Sequence, residues 1–319
     1  MTDYVFDWVD AFSDQPFGGN GCAVVHDAGA LTSETCQAFV RETSLVECTF
    51  LEPSDVADIR VRYFLASRQI PFAGHPTIAT VASLVARGLT RGRDLVLETG
   101  AGLVPVEIDD SSAVARITMT QVAPEFGPEV PRDLVAAVGG IDLGDIVATP
   151  QVVSTGLPFC ITVLRDHEVL RRLDIDPTAL GRLAAHLGYG GTDMMEPFWV
   201  TQSGATPAGD TFSRLLLAPP SPPEDAFTGS ATGAMAAYLW RNGLIESPRF
   251  VAEQGHWMGR AGREEVEVLG PPEAISGVRV SGQGRVLMSG QVHLLANQKG
   301  RPIGATLWWF AWIGAISPR

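Results

Sequence analysis

The sequence predicts an α+β protein of two pseudo-symmetric halves, each a twisted sheet wrapped around one buried helix. Three observations predict it. Residues 73–89, AGHPTIATVASLVARGL, match residues 228–244, TGSATGAMAAYLWRNGL: Gly74 and Gly229 each lead a run of small and apolar residues, and the runs stop at Gly88–Leu89 and Gly243–Leu244, at one constant offset. The offset continues, since Glu98 and Gly100 match Glu253 and Gly255, and RYFLA at 62–66 resembles RLLLA at 214–218. Both runs are apolar nearly all round, so each helix must be enclosed on every side. The flanking stretches DIRVRYFL and LVLETG are rich in Val, Ile, Phe and Tyr, which suit strands. We place the halves at residues 1–120 and 121–294, with an apolar extension of unknown role at 295–319.

Taken in order, the first notable segment is DAFSDQPFGGNGCAVV, residues 10–25, whose Gly-Gly-Asn-Gly turn around Asn20 could close over a ligand; a β-turn explains it equally well. Next, LTSETCQAFVRET reads as a helix capped by Thr32 or Ser33, followed by a strand at CTFLEP. Glu47 sits at that junction among Leu45, Val46 and Cys48. Such apolar company would desolvate the carboxyl and raise its pKa, as a general acid/base near neutrality needs, although a solvated edge glutamate fits the spacing as well. His75 stands at the mouth of the first glycine-led helix, where a lone histidine is ordinarily a cap or a packing residue. In PPEDAFTGSATG, residues 222–233, Asp225 precedes the second helix start and Ser230 lies in its first turn. Plain capping by Asp225, Thr228 or Ser230 accounts for them. If the two helix starts face each other across a cleft, their backbone N–H groups and positive dipole ends make a site for a carboxylate or a developing enolate.

Composition excludes several classes. The net charge of −13 over 319 residues, without a basic run, argues against a nucleic-acid surface. Four cysteines with no CxxC pair and six scattered histidines argue against a metal centre, and read as reduced thiols of a cytoplasmic protein. Neither a phosphate-binding loop nor a dinucleotide-binding glycine pattern occurs, and GYGG at 188–191 reads as a turn. The start MTDYVFDWVDAF does not have the pattern of a signal peptide. The apolar tract ATLWWFAWIGAI, residues 305–316, falls short of the roughly twenty residues of a spanning helix, so no membrane contact is expected and a buried strand or oligomer contact is the simpler reading.

Together, D-x-F-x-x-x-P-F-x-G-N at Asp10–Asn20, the glutamate of ETSLVECTF, PFAGHPT at Pro71–Thr77, TGLPF at Thr155–Phe159, EDAFTGSATG at Glu224–Gly233 and EQGHWMGR at 253–260 resemble the PhzF-like isomerases of phenazine biosynthesis, relatives of diaminopimelate epimerase. The resemblance implies mostly antiparallel sheets around each helix, a site between the halves, a homodimer and no cofactor. It implies Glu47 as the proton-transfer group, His75, Asp225 and Ser230 as catalytic polar residues, and Asn20, Gly74, Thr228, Gly229 and Phe227 around a small carboxylic acid substrate. Ala73 and Thr228 stand where the epimerase relatives carry cysteines, which disfavours two-cysteine racemisation. The family's best-known reaction isomerises trans-2,3-dihydro-3-hydroxyanthranilate. Departures from the family pattern are GNG at 19–21, SLVE at 44–47 and the bulky Phe227, which falls close to the expected site. The reading is a cofactor-independent isomerase; its alternatives are an epimerase or carbon–carbon cleaving enzyme using the same carbanion, and a metabolite-binding protein without turnover.

Overall fold

The computed structural model describes residues 2–90, 92–189, 196–219 and 221–294, so the apolar tract at 305–316 and part of GYGG lie outside the described residues. The chain begins with β1 (Thr2–Ala11), β2 (Asn20–Val25), α1 (Ser33–Thr43), β3 (Glu47–Glu52), β4 (Ile59–Leu65), β5 (Gln69–Ile70), α2 (Gly74–Ala86), β6 (Asp94–Thr99), β7 (Gly102–Asp109) and β8 (Arg116–Gln121). It continues through β9 (Glu125–Glu129), α3 (Arg132–Gly139), β10 (Gln151–Ser154), β11 (Pro158–Leu164), α4 (His167–Arg172), α5 (Pro177–His186), β12 (Pro197–Thr201), β13 (Thr211–Leu216), β14 (Glu224–Asp225), α6 (Gly229–Arg241), β15 (Arg249–Gln254), β16 (Gly262–Leu269) and β17 (Gly277–Leu294). Among the described residues no helix is long and apolar enough to cross a membrane.

Strand pairing is mixed in sense. The neighbours are mostly antiparallel, but β2 pairs with β3 and β4 with β6 in parallel, and β11 pairs with β12 and β13 with β15 in the same sense. RYFLA and RLLLA therefore lie on strands, β4 and β13, that make the same kind of connection across a buried helix. The long strand β17 joins everything: it pairs with β16, with β8 and along the whole of β1.

The two glycine-led helices are enclosed as their composition requires. From Gly74 to Leu84 every residue of α2 is buried, against β1, β2, β3, β8 and β17. Helix α6 is buried nearly throughout, against β10, β11, β16 and β17. Each fully enclosed aliphatic side chain such as Ile78, Val81 or Leu239 contributes about 1.5–3 kcal/mol. Both helices end alike, with a glycine in the left-handed region and a leucine N–H reaching back: Gly88 has φ 66° and Leu89 N bonds Leu84 O, while Gly243 has φ 64° and Leu244 N bonds Leu239 O. A second apolar cluster packs α3, α4 and α5 outside β11–β13, and a third packs α1 outside β2 and β3.

At their starts the helices differ from α1. Thr32 caps α1 by accepting from Thr35 N at 3.2 Å, as expected from the sequence. Neither Ala73 before α2 nor Thr228 before α6 gives a side-chain cap. The capping reading of Asp225, Thr228 and Ser230 thus gives way to another arrangement: the Thr228 hydroxyl turns away from the helix and donates to Asp225. Among the described residues, neither cap position supplies a side-chain acceptor to the first-turn N–H groups of these helices.

Candidate active site

The two uncapped starts meet. A Cβ added to Gly74 would fall 2.9 Å from Ser230 N and 3.2 Å from the carbonyl carbon of Gly229. These are backbone atoms that cannot swing aside, so glycine is required for the approach. Gly74→Ala is expected to force the starts apart and to cost about 1–3 kcal/mol of stability. Denaturant titration checks this; an unchanged midpoint would place the helix starts farther apart.

Glu47 opens β3 immediately after α1 is stopped by Ser44, which holds φ 56°. Its side chain is only 13% exposed and its Oε2 lies 3.5 Å from His75 Nδ1. Burial, with the nearby Asp225 charge, pushes the Glu47 carboxyl up to about 8. His75, the second residue of α2, is buried; desolvation and the Arg260 charge push its pKa down to about 3, so the ring is neutral at physiological pH. Its Nε2 is buried and has no hydrogen-bond partner among the described residues.

Asn20 draws the two halves of the chain together. Its Nδ2 donates to Asp225 Oδ1 at 2.7 Å and to Phe227 O at 2.8 Å, with His75 Nδ1 3.2 Å away. An amide nitrogen has two hydrogens, and the two shorter contacts take them. Asp225 also accepts from Thr228 Oγ1 at 2.6 Å. Burial raises the Asp225 pKa to about 6 while the Thr228 and Asn20 bonds pull it down. Ser230 is half-buried in the first turn of α6, and its hydroxyl has no hydrogen-bond partner among the described residues. Glu47, His75, Asn20, Asp225, Thr228, Gly74, Gly229 and Ser230 are therefore brought to one place.

Phe227 is there in a different sense from the one expected. Its ring is fully enclosed, stacked on Phe12 with centroids 4.5 Å apart, and it fills the space that the absent side chain of Gly262 leaves. What it offers the cluster is its carbonyl, to Asn20. The bulky side chain is packed in the core between Phe12 and Gly262.

Several supporting residues are not among the site candidates of the sequence, although all but Gln121 among them lie in the motifs that resemble the family. Gln254 is fully buried; it accepts from Thr228 N and donates to Asp225 O and Thr228 Oγ1, fixing the approach to α6. Gln121 Nε2 bonds Gly229 O at 2.9 Å, and Thr155, from the TGLPF motif, donates to Gln121 Oε1 at 2.5 Å. Arg260 bonds the carbonyls of Gly18 and Gly19 and Asp10 Oδ1, while Asp10 Oδ2 accepts from Phe17 N, so the turn that delivers Asn20 is clamped. Among the described residues no group of three or more His, Cys, Asp or Glu is arranged to hold a metal ion.

Known proteins share the sequence pattern and the fold of this chain. The sequence pattern of the family described as phenazine biosynthesis-like protein, PhzC-PhzF, matches residues 9–290. An uncharacterized isomerase of Bacillus subtilis is 30% identical over 264 residues, which cover 81% of this chain and 88% of that protein. A trans-2,3-dihydro-3-hydroxyanthranilate isomerase of Pseudomonas aeruginosa is 32% identical over 292 residues, covering 90% of this chain and 98% of the relative. The crystal structure of a Bacillus anthracis phenazine biosynthesis protein of the PhzF family superposes with a TM-score of 0.81 over 92% of this chain and 100% of the other, at 24% identity. The chain belongs to the PhzC-PhzF family of phenazine biosynthesis-like proteins.

Proposed function

We propose that the chain is an isomerase that moves a proton along a small unsaturated or cyclic amino or hydroxy acid of the dihydro-hydroxyanthranilate kind, with no cofactor and with Glu47 as general acid and base. The observation that carries the reading is the Glu47 carboxyl: nearly desolvated, with its pKa at about 8, and beside a neutral histidine at two meeting, uncapped helix starts. The isomerase names borne by relatives at this level of identity support the reaction class.

In this reading the Glu47 carboxylate takes an acidic proton from carbon. The electron pair of the broken C–H bond spreads into the conjugated system of the substrate, and the N–H groups at the helix starts, with His75 and Ser230, stabilise the developing charge. Glu47 then returns the proton to another carbon, the double bonds shift, and nothing is consumed. Neutral His75 suits this because it can donate without competing with Glu47 for the substrate proton. Cysteine chemistry has little support: Cys22, Cys36, Cys48 and Cys160 are all buried, and burial pushes Cys36, Cys48 and Cys160 to about 12 and Cys22 well above its ordinary value. We further propose that residues 1–120 and 121–294 are duplicated halves, on the support of the recurring parallel pairings and the matching helix ends.

The test is proton NMR in deuterium oxide with a panel of dihydro-anthranilate-like and unsaturated cyclic amino acids, comparing the natural protein with Glu47→Gln. Deuterium entering a substrate carbon only with the natural protein is the expected result. Exchange that persists in the variant removes Glu47 from its role, and no exchange with any substrate favours a binding protein.

A further inference from the structure

Glu264 is an acid with no evident reason to be where it is. It is the third residue of β16, it is 1% exposed, and neither carboxyl oxygen has a hydrogen-bond partner among the described residues. Buried polar atoms are nearly always bonded, so an unbonded carboxyl calls for a cause. Its Oε2 lies 3.3 Å from the point where a side chain on Gly229 would begin, and a Phe12 ring atom lies 2.6 Å from that same point. Phe12 in turn is held at φ 62° and stacks on Phe227. The acid is thus packed under the first residue of α6, in contact with the glycine whose neighbour is Ser230.

Among the described residues no charged side chain acts on it. Ala252 opposes it on β15. Glu253 beside Ala252 turns its carboxylate to Thr206, with bonds of 2.9 and 2.6 Å. Glu265 on β16 points outward to Arg116. From α6 it is Gly229 that lies against its Oε2, and the Phe12 ring packs on the same glycine. Burial alone acts on Glu264, and pushes its pKa well above the usual carboxylate range.

We propose that Glu264 is a positioning residue of the active site, an uncharged acid packed under the first turn of α6 whose ionisation releases Gly229 and Ser230 and so ends activity at alkaline pH. As a neutral acid its unmade bonds carry a cost that a folded protein can bear. As an anion without a counter-charge it costs far more, and the strain is relieved only by water entering between α6 and β16. The sign follows from linkage: a carboxyl whose pKa is raised by folding favours the folded state below its ordinary pKa, and this is lost as pH rises through the folded value. The effect on activity rests on the proton-shift reading, whereas the packing part does not. Glu47 then bounds the working pH range from below and Glu264 from above.

The experiment is amide hydrogen exchange by mass spectrometry on the whole chain, natural and Glu264→Gln, over a series of pH values. Glutamine keeps the shape and cannot ionise. Exchange in the first turns of α6, residues 228–235, is expected to be equal in the two proteins near neutral pH. The ratio of natural to variant should then rise with pH, by up to about tenfold per unit, while residues 74–80 of α2 show no such rise. Glu264→Met, of similar length, should behave as Gln does and serves if the Gln variant does not fold. A ratio that stays at one at every pH, or one that rises equally over α2 and α6, overturns the proposal. In the deuterium-incorporation assay, kcat of the natural protein should fall on the alkaline side with KM unchanged, and the Gln variant should keep its rate there. Absence of any turnover by the natural protein would sink the isomerase reading, and the amide-exchange ratio would still decide the role of Glu264.

Discussion

Replacing Glu47 by Gln is expected to lower the rate of proton exchange into substrate by at least the hundred- to ten-thousand-fold typical of a lost acid/base, and toward the upper end, because one group both removes and returns the proton. Glu47→Asp keeps the carboxyl but withdraws it by about one methylene. A misplacement of that size costs on the order of a hundredfold, so the order natural, Asp, Gln distinguishes geometry from ionisation. The pH dependence follows from the raised pKa. Only the carboxylate can begin the reaction, so kcat/KM of the natural protein should climb as pH rises through about 8. At pH 7 only about one molecule in ten is ready. Stability runs the other way: folding raises this carboxyl from 4.5 to about 8, so its contribution is complete below about 4.5 and lost as pH climbs to about 8. Glu47→Gln should therefore be the more stable protein above that range while being the poorer catalyst. A rate that is flat between pH 6 and 9 would show that Glu47 does not take the proton.

What could be read in the sequence and what could not divide along physical lines. For Glu47 the apolar neighbours in the chain allowed desolvation but left a solvated edge equally open, and for His75 glycine and proline fixed the helix start but not a role; the resemblance of the motifs singled both out. The wrapping of both helices followed from their lack of a polar face. Asn20 and Asp225, in contrast, are 205 residues apart, and only the meeting of the helix starts explains why a turn asparagine holds an aspartate. Thr228 fits the pattern of a helix cap, yet it bonds Asp225, since a buried carboxylate competes for the hydroxyl. Gln254 and Gln121 both hold the start of α6; Gln254 lies inside the EQGHWMGR motif without being a candidate there, and Gln121 is marked by no motif. Phe227 is a departure from the family pattern that was expected close to the substrate. Its ring goes inward because Gly262 makes room and Phe12 gives it a face to stack on.

The far end of α2 is held by a cluster on which we expect the largest effect on stability. Asp7 on β1 is 1% exposed and accepts five bonds: from Arg87 Nε at 2.5 Å and Nη2 at 2.7 Å, from Ser83 at 2.6 Å, from Ser289 at 2.5 Å, and from His26 at 3.2 Å. Burial by itself would raise this carboxyl; the bonds from Arg87, Ser289 and Ser83 outweigh it and hold the pKa well below the usual range. One side chain thus ties the last turn of α2 to β1 and β17. Asp7→Ala would leave the Arg87 charge and two hydroxyls without their acceptor, which for a buried pair costs about 3–5 kcal/mol. Asp7→Ala with Arg87→Leu should recover much of the loss, since an apolar pair in place of a buried ion pair is often nearly neutral. The pH sign is opposite to that of Glu47: a depressed carboxyl stabilises above its ordinary 3.8 and the gain is lost as pH falls. Denaturant midpoints of the single and double variants decide it, and a cost below about 1 kcal/mol for Asp7→Ala would mean an ordinary surface pair. The helix runs 13 residues from Gly74 to Ala86, roughly 18–20 Å of rise, so Asp7 lies far from the Glu47–His75 pair. Under conditions where the variant is folded its KM and kcat should match those of the natural protein, because the contact between Gly74 and Ser230 is made at the other end.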